Sequence, residues 1–381
     1  MKEITKDNWL TPSNNRWSFQ NMSSIFDTTK LEKSPSPFVL SHKPESIEAF
    51  EFEGLNGKIT IRQMLNESFT DAFLVLKNSE IVFEEYQNNM SPESLHLMNS
   101  VSKTFVGMLI GVLAEEDKLS PNDEVIKYIP ELEKTAFQGT TIQHALDMSA
   151  AVKFSEHYDD GDSKFWHEAA VVGWRPDLEK GSSPKTLLDY MSNLKETSQK
   201  NDEKFDYRTV LTNLVALAAE RACGEKFQTI LQKYIWDKLH AECDAKIVTD
   251  KNGFPYMGAG MNASARDLAK FGLMLMNNGV FNGTQVVPAS WIQATLSQNE
   301  KYKNNFLKSE YALRLPDFHY RNQTWVGDKS TMLCLGIYGQ AILVDQKNKI
   351  VIVKLSSHPE PDDPIILGTT FLGISALQEK L

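Results

Sequence analysis

The chain has 381 residues, 41% hydrophobic and 24% charged, with 40 Lys and Arg against 50 Asp and Glu, for a formal net charge of -10. This is an ordinary globular composition with enough chain for a large core, which excludes fibrous, collagen-like and wholly disordered classes. Lys and Arg form no run able to follow a phosphate backbone, and aromatic residues are not interleaved with basic ones, so nucleic acid is not an expected partner.

In chain order, Met1-Lys2-Glu3-Ile4-Thr5-Lys6-Asp7-Asn8 lacks the apolar core of a secretory signal. No later segment approaches the ~18 apolar residues of a membrane span. The expectation is a soluble, cytoplasmic protein without membrane contact. Ser34-Pro35-Ser36-Pro37 breaks the first part of the chain and points to an extended surface arm. Phe73-Leu74-Val75-Leu76 and Ile81-Val82-Phe83 flank Lys77-Asn78-Ser79-Glu80, the pattern of a β-hairpin.

Phe105, Met108, Leu109, Val112 and Leu113 recur at helical spacing and predict an amphipathic helix over Ser102 to Lys118. A second helix runs from Leu211 to Ala222 and stops at Gly224. Ser264-Ala265-Arg266-Asp267 has the form of a capping box opening a third, Leu268 to Asn277. Ala341-Ile342-Leu343-Val344 and Ile350-Val351-Ile352-Val353 are unalternated apolar runs, expected as a hairpin of central strands covered on both faces. Ile365 to Leu381 closes the chain as a covering helix.

The layout is α/β (α+β): an antiparallel sheet with flanking helices built from residues 1–99 and 246–381, split by a mostly helical lobe over residues 100–245. Cys223, Cys243 and Cys334 are an odd, scattered set and read as reduced, packed thiols.

The histidines at 42, 96, 144, 157, 167, 240, 319 and 358 show no H-x-x-x-H or H-E-x-x-H spacing, which leaves a zinc hydrolase without support. Gly258-Ala259-Gly260-Met261-Asn262-Ala263 formally matches G-x-G-x-x-A. However, Pro255 stands where the preceding strand should run, and no βαβ unit follows. A phosphate-binding G-x-x-x-x-G-K-[ST] loop and a G-x-S-x-G elbow are both missing.

S-x-x-K occurs at Ser100 to Lys103, Ser182 to Lys185 and Ser192 to Lys195. The second lies in the turn Gly181-Ser182-Ser183-Pro184 and the third in a polar stretch. Ser100 alone falls at the start of an apolar helix. A spacing of three sets Lys103 one turn along the same face, within reach of the serine hydroxyl. The helix N-terminus favours an alkoxide there, and a partly desolvated lysine can accept the serine proton. Read alone, the tetrad also fits a helix N-cap serine with a first-turn surface lysine.

Four segments decide between these readings when taken together. They are Met98-Asn99-Ser100-Val101-Ser102-Lys103-Thr104-Phe105, Tyr207 before a helix, Gly258 to Gly272, and Gly336-Ile337-Tyr338-Gly339-Gln340 before the last hairpin. Their order and distances resemble the serine β-lactamase-like hydrolases of the class C and penicillin-binding-protein type. The likeness extends over nearly the whole chain. It is greatest to the 6-aminohexanoate-dimer hydrolases, through Asn15-Arg16-Trp17, Thr70-Asp71-Ala72-Phe73-Leu74-Val75-Leu76, Gly173-Trp174-Arg175 and Val351-Ile352-Val353-Lys354-Leu355-Ser356-Ser357.

The resemblance implies a β-lactamase/transpeptidase-like fold and an acyl-enzyme hydrolase of a small linear amide or ester, with no metal or organic cofactor. It implies Ser100 as nucleophile, Lys103 as its base and Tyr207 as the proton shuttle to the leaving group, expected to titrate low beside the lysine. The backbone N–H groups of Ser100 and Ile337 match the oxyanion hole. Tyr158, Trp174, Trp325 and Tyr338 fall at substrate-facing positions, with Tyr158 on a loop that closes over substrate in the relatives. Glu168 could offer a carboxylate to a substrate ammonium, or be a solvated surface acid.

There are departures. Tyr207-Arg208-Thr209 replaces the Y-x-N of β-lactamases, Ile337-Tyr338-Gly339 replaces their K-T-G strand, and Gly258 and Ala169 stand where some amide-oligomer hydrolases carry polar residues. A carboxylesterase acting on short acyl esters and a catalytically silent binding protein on the same fold stay open, as does a homodimer.

Overall fold

In the computed structural model of this chain, residues 3–178, 181 and 183–381 are described. Ser182, the first residue of the second S-x-x-K tetrad, lies outside them. Strand β1 (Thr28–Leu31) belongs to the N-terminal arm. Strands β2 (Thr70–Lys77) and β3 (Glu80–Tyr86) form the expected hairpin, turned through Asn78 (φ 51°) and Ser79 (φ 69°). Two left-handed residues in succession match the right-handed twist of the flanking strands.

Strand β4 (Leu95–Leu97) runs into a 3-10 turn, Asn99–Val101, and the long helix α1 (Ser102–Glu115). From that turn to Leu239 every element named among the described residues is helical, including α2 (Lys164–Val171) and α3 (Thr209–Cys223). Helix α3 ends on Gly224 in a left-handed conformation, as its sequence anticipates. The chain returns through β5 (Ala245–Val248), β6 (Met261–Ser264) and α4 (Ala265–Met276). It finishes with β7 (His319–Arg321), β8 (Thr324–Val326), β9 (Thr331–Gly336), β10 (Gln340–Asp345), β11 (Ile350–Ser356) and α5 (Pro364–Lys380).

The larger sheet has the order β7-β8-β9-β10-β11-β2-β3, with all neighbours antiparallel. The first and last hairpins of the sequence therefore meet, Val353 opposite Leu74. Strands β10 and β11 are buried along their whole length, which is what unalternated β-branched runs require. Helix α4 lies on them, and Gly272 allows the approach: a Cβ there would meet Val351 Cγ1 at 2.5 Å. A second antiparallel sheet, β1-β5-β6-β4, was not anticipated. Its strands are three or four residues long and carry no readable alternation.

Helix α1 departs from its expectation. It is buried on every side from Ser102 to Leu113 and stops at Glu115, with Asp117 in a left-handed conformation (φ 55°) beyond it. Apolar spacing reveals one face of this helix, while two glycines open the other. A Cβ at Gly107 would meet the Asn322 carbonyl oxygen at 2.0 Å, and one at Gly111 the Trp291 ring at 2.4 Å. The rings of Phe105 and Phe271 stack at 3.8 Å and join α1 to α4.

The arm runs along the surface as expected, Ser34 and Phe38 donating their N–H groups to the carbonyls of Ala241 and His240. Among the described residues, no helix is long and apolar enough to cross a membrane. The three cysteines are free.

Candidate active site

The turn that carries Ser100 is braced before that residue begins. Asn99 is left-handed (φ 47°), a conformation that Asn tolerates better than most residues. Its carbonyl accepts from the Ser102 hydroxyl (2.6 Å), and its Nδ2 donates to the Ile337 carbonyl (2.9 Å). Gly336 lets strand β9 close on this turn, since a Cβ there would stand 2.5 Å from the Met98 carbonyl oxygen. The backbones of Ser100 and Ile337 are thus held side by side.

One helical turn on, Lys103 is 1% exposed, and its Nζ donates to Ser100 Oγ (2.8 Å), Thr209 Oγ1 (2.9 Å) and the Gly258 carbonyl (2.6 Å). Those are all the donors an ammonium has. Burial pulls its pKa down to about 8, and the carboxylates of Glu156 and Glu168 oppose that fall. The surface-lysine alternative is therefore excluded by burial.

Thr209 opens α3 and gives its hydroxyl proton to Glu156 Oε1 (2.6 Å), which leaves its lone pairs to Lys103. Its backbone N–H donates to the other Glu156 oxygen, and the Tyr158 hydroxyl donates to Oε1 (2.9 Å). A continuous chain of hydrogen bonds so runs from Tyr158 through Glu156, Thr209 and Lys103 to Ser100. Sequence reasoning missed Glu156, whose pKa burial raises above the usual carboxylate range. The signal that could have found it is the threonine in place of asparagine after Tyr207, a hydroxyl in need of an acceptor.

Gly258 explains its own formal motif. A Cβ there would meet Thr209 Cγ2 at 2.3 Å, so only glycine brings this carbonyl onto Lys103. Asn213 fixes the loop, its Oδ1 accepting from Gly258 N–H (2.9 Å) while its Nδ2 donates to Glu168 Oε1 (3.0 Å). Glu168 is fully buried and not solvated; it stands behind Gly258 and Lys103, and burial lifts its pKa to about 8.

Tyr207 is buried, stacked on Trp325 at 5.5 Å, with Lys103 Nζ 5.0 Å from its ring centre. The expected lowering of its pKa is reversed: burial, and next the Glu156 charge, hold it well above the ordinary tyrosine value. Tyr207 is accordingly a protonated phenol at neutral pH and can donate.

The structure therefore brings Ser100, Lys103, Tyr207, Trp325 and Ile337 together, with Tyr158 attached through Glu156. Tyr338 is buried and packs edge-on to Phe19 at 5.4 Å, and Trp174 is buried between Trp9 and Tyr256. A cavity of about 220 Å³ opens beside Tyr207, lined by Phe154, Glu156, Asp206, Glu310 and Tyr311 among others. The third tetrad is dispersed, Ser192 bonding the Leu188 carbonyl and Lys195 that of Lys134.

Residues 60–370 match the Beta-lactamase family, well over half of the chain. The chain belongs to that family of serine hydrolases. It is 30% identical over 362 residues to 6-aminohexanoate-dimer hydrolase of Paenarthrobacter ureafaciens, a match covering 94% of this chain and 90% of that one. A Bacillus anthracis protein provisionally assigned as a 6-aminohexanoate-dimer hydrolase superposes with a TM-score of 0.87 at 27% identity, over 100% of this chain and 98% of its own. The octameric penicillin-binding protein homologue of Pyrococcus abyssi shares the fold, with a TM-score of 0.62 at 17% identity over 84% of this chain and 75% of its own. The β-lactamase-like fold and family expected from the motif order are thus established.

Proposed function

We propose that this β-lactamase-family protein hydrolyses an amide bond of a small linear substrate through an acyl-enzyme on Ser100. The observation that carries the reading is the 2.8 Å contact between Ser100 Oγ and the amine of a fully buried lysine. In its neutral form Lys103 takes the Ser100 proton as Oγ adds to the substrate carbonyl carbon. The carbonyl oxygen becomes an oxyanion received by the N–H groups of Ser100 and Ile337, where losing one such donor typically costs about 2.7 to 4 kcal/mol. Tyr207 gives its phenolic proton to the leaving nitrogen and regains one from the Lys103 ammonium. The C–N bond breaks, the amine departs, and water attacks the acyl carbon by the same route reversed, releasing the carboxylic acid and free Ser100.

The likeness to 6-aminohexanoate-dimer hydrolases supports a linear amide, and the absence of a K-T-G lysine removes the usual partner of a β-lactam carboxylate. In this reading Tyr158 and Trp325 border the substrate, while Glu168 acts from behind by holding Asn213 and the Gly258 loop. The same reading treats residues 100–245 as a helical lobe on an α/β unit formed by the flanking segments, and places the protein in the cytoplasm, in keeping with its three unpaired thiols.

The test compares turnover of a linear amide of an ω-amino acid with that of a p-nitrophenyl ester. Turnover of both that is lost in Ser100→Ala is expected. Ester turnover alone would make the protein a carboxylesterase, and turnover surviving Ser100→Ala would reject the reading.

A further inference from the structure

Three sequence motifs have no part in the chemistry above: Asn15-Arg16-Trp17, Thr70-Asp71-Ala72-Phe73 and Val351 to Ser357. They are far apart in sequence, yet they meet in one buried polar cluster behind the turn that carries Ile337. Arg16 donates to Asp71 Oδ1 (3.0 Å), and Asp71 Oδ2 pairs with His96 Nε2 (3.1 Å). Lys354 Nζ donates to the Ser68 carbonyl (3.3 Å) and to Ser356 Oγ at the end of β11. Asn15 Nδ2 donates to the carbonyl of His358, two residues further on (2.6 Å). Asn15, Asp71, His96, Lys354, Ser356 and His358 are all fully buried.

The turn itself is strained. Tyr338 has φ 63° and Gly339 φ 88°, and a tyrosine held left-handed needs its surroundings to keep it there. Asn99 pins the turn from the nucleophile side through the Ile337 carbonyl. From the other side Gln340 Nε2 donates to the Tyr338 carbonyl (3.0 Å), as does the backbone N–H of His358 (3.3 Å). The imidazole of His358 lies directly under the turn, since a Cβ on Gly339 would stand 2.2 Å from its Nε2. Among the described residues neither ring nitrogen has a hydrogen-bond partner of normal geometry, the Ser68 backbone only approaching the ring, so the ring acts here chiefly through its shape.

We propose that His358 is a positioning residue that seats the Ile337–Gly339 turn so that the Ile337 N–H faces the developing oxyanion. The Arg16–Asp71–His96 and Lys354–Ser356 groups lock the segment on which it stands. The inference rests on the reading of Ile337 as an oxyanion donor.

The test uses the full chain with His358→Ala, His358→Phe and Gly339→Ala. It measures kcat and KM on a p-nitrophenyl ester and the labelling of Ser100 by a fluorophosphonate, with thermal melts to confirm folding. An oxyanion donor acts on the transition state and not on bound substrate, so His358→Ala should lower kcat at least about tenfold and leave KM within about twofold. His358→Phe, which refills the space without ring nitrogens, should recover most of that loss. Gly339→Ala should reproduce it from the turn side.

A folded His358→Ala with kcat within about twofold of the parent overturns the proposal, and so does a phenylalanine variant as impaired as the alanine one. Should His358→Ala not fold, an unchanged kcat in Gly339→Ala overturns it instead. If the parent protein shows no Ser100 label and Ser100→Ala keeps its turnover, the hydrolytic reading has failed. A labelled Ser100 with normal turnover in His358→Ala rejects the positioning role alone.

Discussion

In the proposed mechanism Lys103 must be neutral to take a proton from Ser100 and charged to return one through Tyr207, and its surroundings set the balance between those states. Burial favours the neutral amine, the Glu156 and Glu168 carboxylates favour the ammonium, and the result is a pKa of about 8. Ester turnover at limiting substrate is therefore expected to climb about tenfold per pH unit below that value and to level off above it. Glu156→Gln removes a charge that raises the lysine pKa, so the limb should move to lower pH in a kcat/KM profile; a shift to higher pH would contradict the assignment. Tyr207 stays protonated through this range because its own pKa lies well above 10.0. Tyr207→Phe should accordingly harm amides more than activated esters, whose leaving groups need little protonation. Equal losses on the two substrates would count against Tyr207 as the acid.

At the scale of elements, the site is made by close approaches that only glycine permits. Gly258 brings a β-strand turn against the first residue of α3, and Gly258→Ala would drive a methyl into the Thr209 side chain. Overpacking of this kind costs about 1 to 3 kcal/mol. The carbonyl of residue 258 should also withdraw from Lys103, so activity falls by more than the thermal midpoint alone explains. Full activity in this variant would show that the carbonyl is dispensable.

This is also where sequence reading reached its limit. That Ser100, Lys103 and Tyr207 lie together was legible because their motifs keep a fixed order, and the hairpin around Asn78 because two apolar runs flank a short polar turn. Glu156 was not legible: it is a lone acid in a loop, 53 residues from the Thr209 hydroxyl it accepts from. The all-round burial of α1 and the raised pKa of Tyr207 depend on what packs against them, which neither periodicity nor spacing contains. The small sheet escaped notice because strands such as Met261-Asn262-Ala263-Ser264 have no hydrophobic alternation to see.

Across the whole molecule, helix α1 is not an appendage of the helical segment. Phe105 on α1 stacks on Phe271 of α4, which in turn lies on the central strands β10 and β11. Loss of such a buried ring costs about 3 to 5 kcal/mol. Phe271→Ala should lower the urea midpoint accordingly and keep a single transition, because both parts of the chain share that contact. Two separated transitions would show that they unfold independently.

The central claim is that Ser100, activated by Lys103, forms a covalent acyl-enzyme. Its most direct test is fluorophosphonate labelling followed by peptide mass mapping of the parent protein and of Ser100→Ala across a pH series. The account requires one adduct, on Ser100, forming faster as pH rises toward about 8 and lost in Ser100→Ala. An adduct on another residue, or none on a folded parent protein, would contradict it.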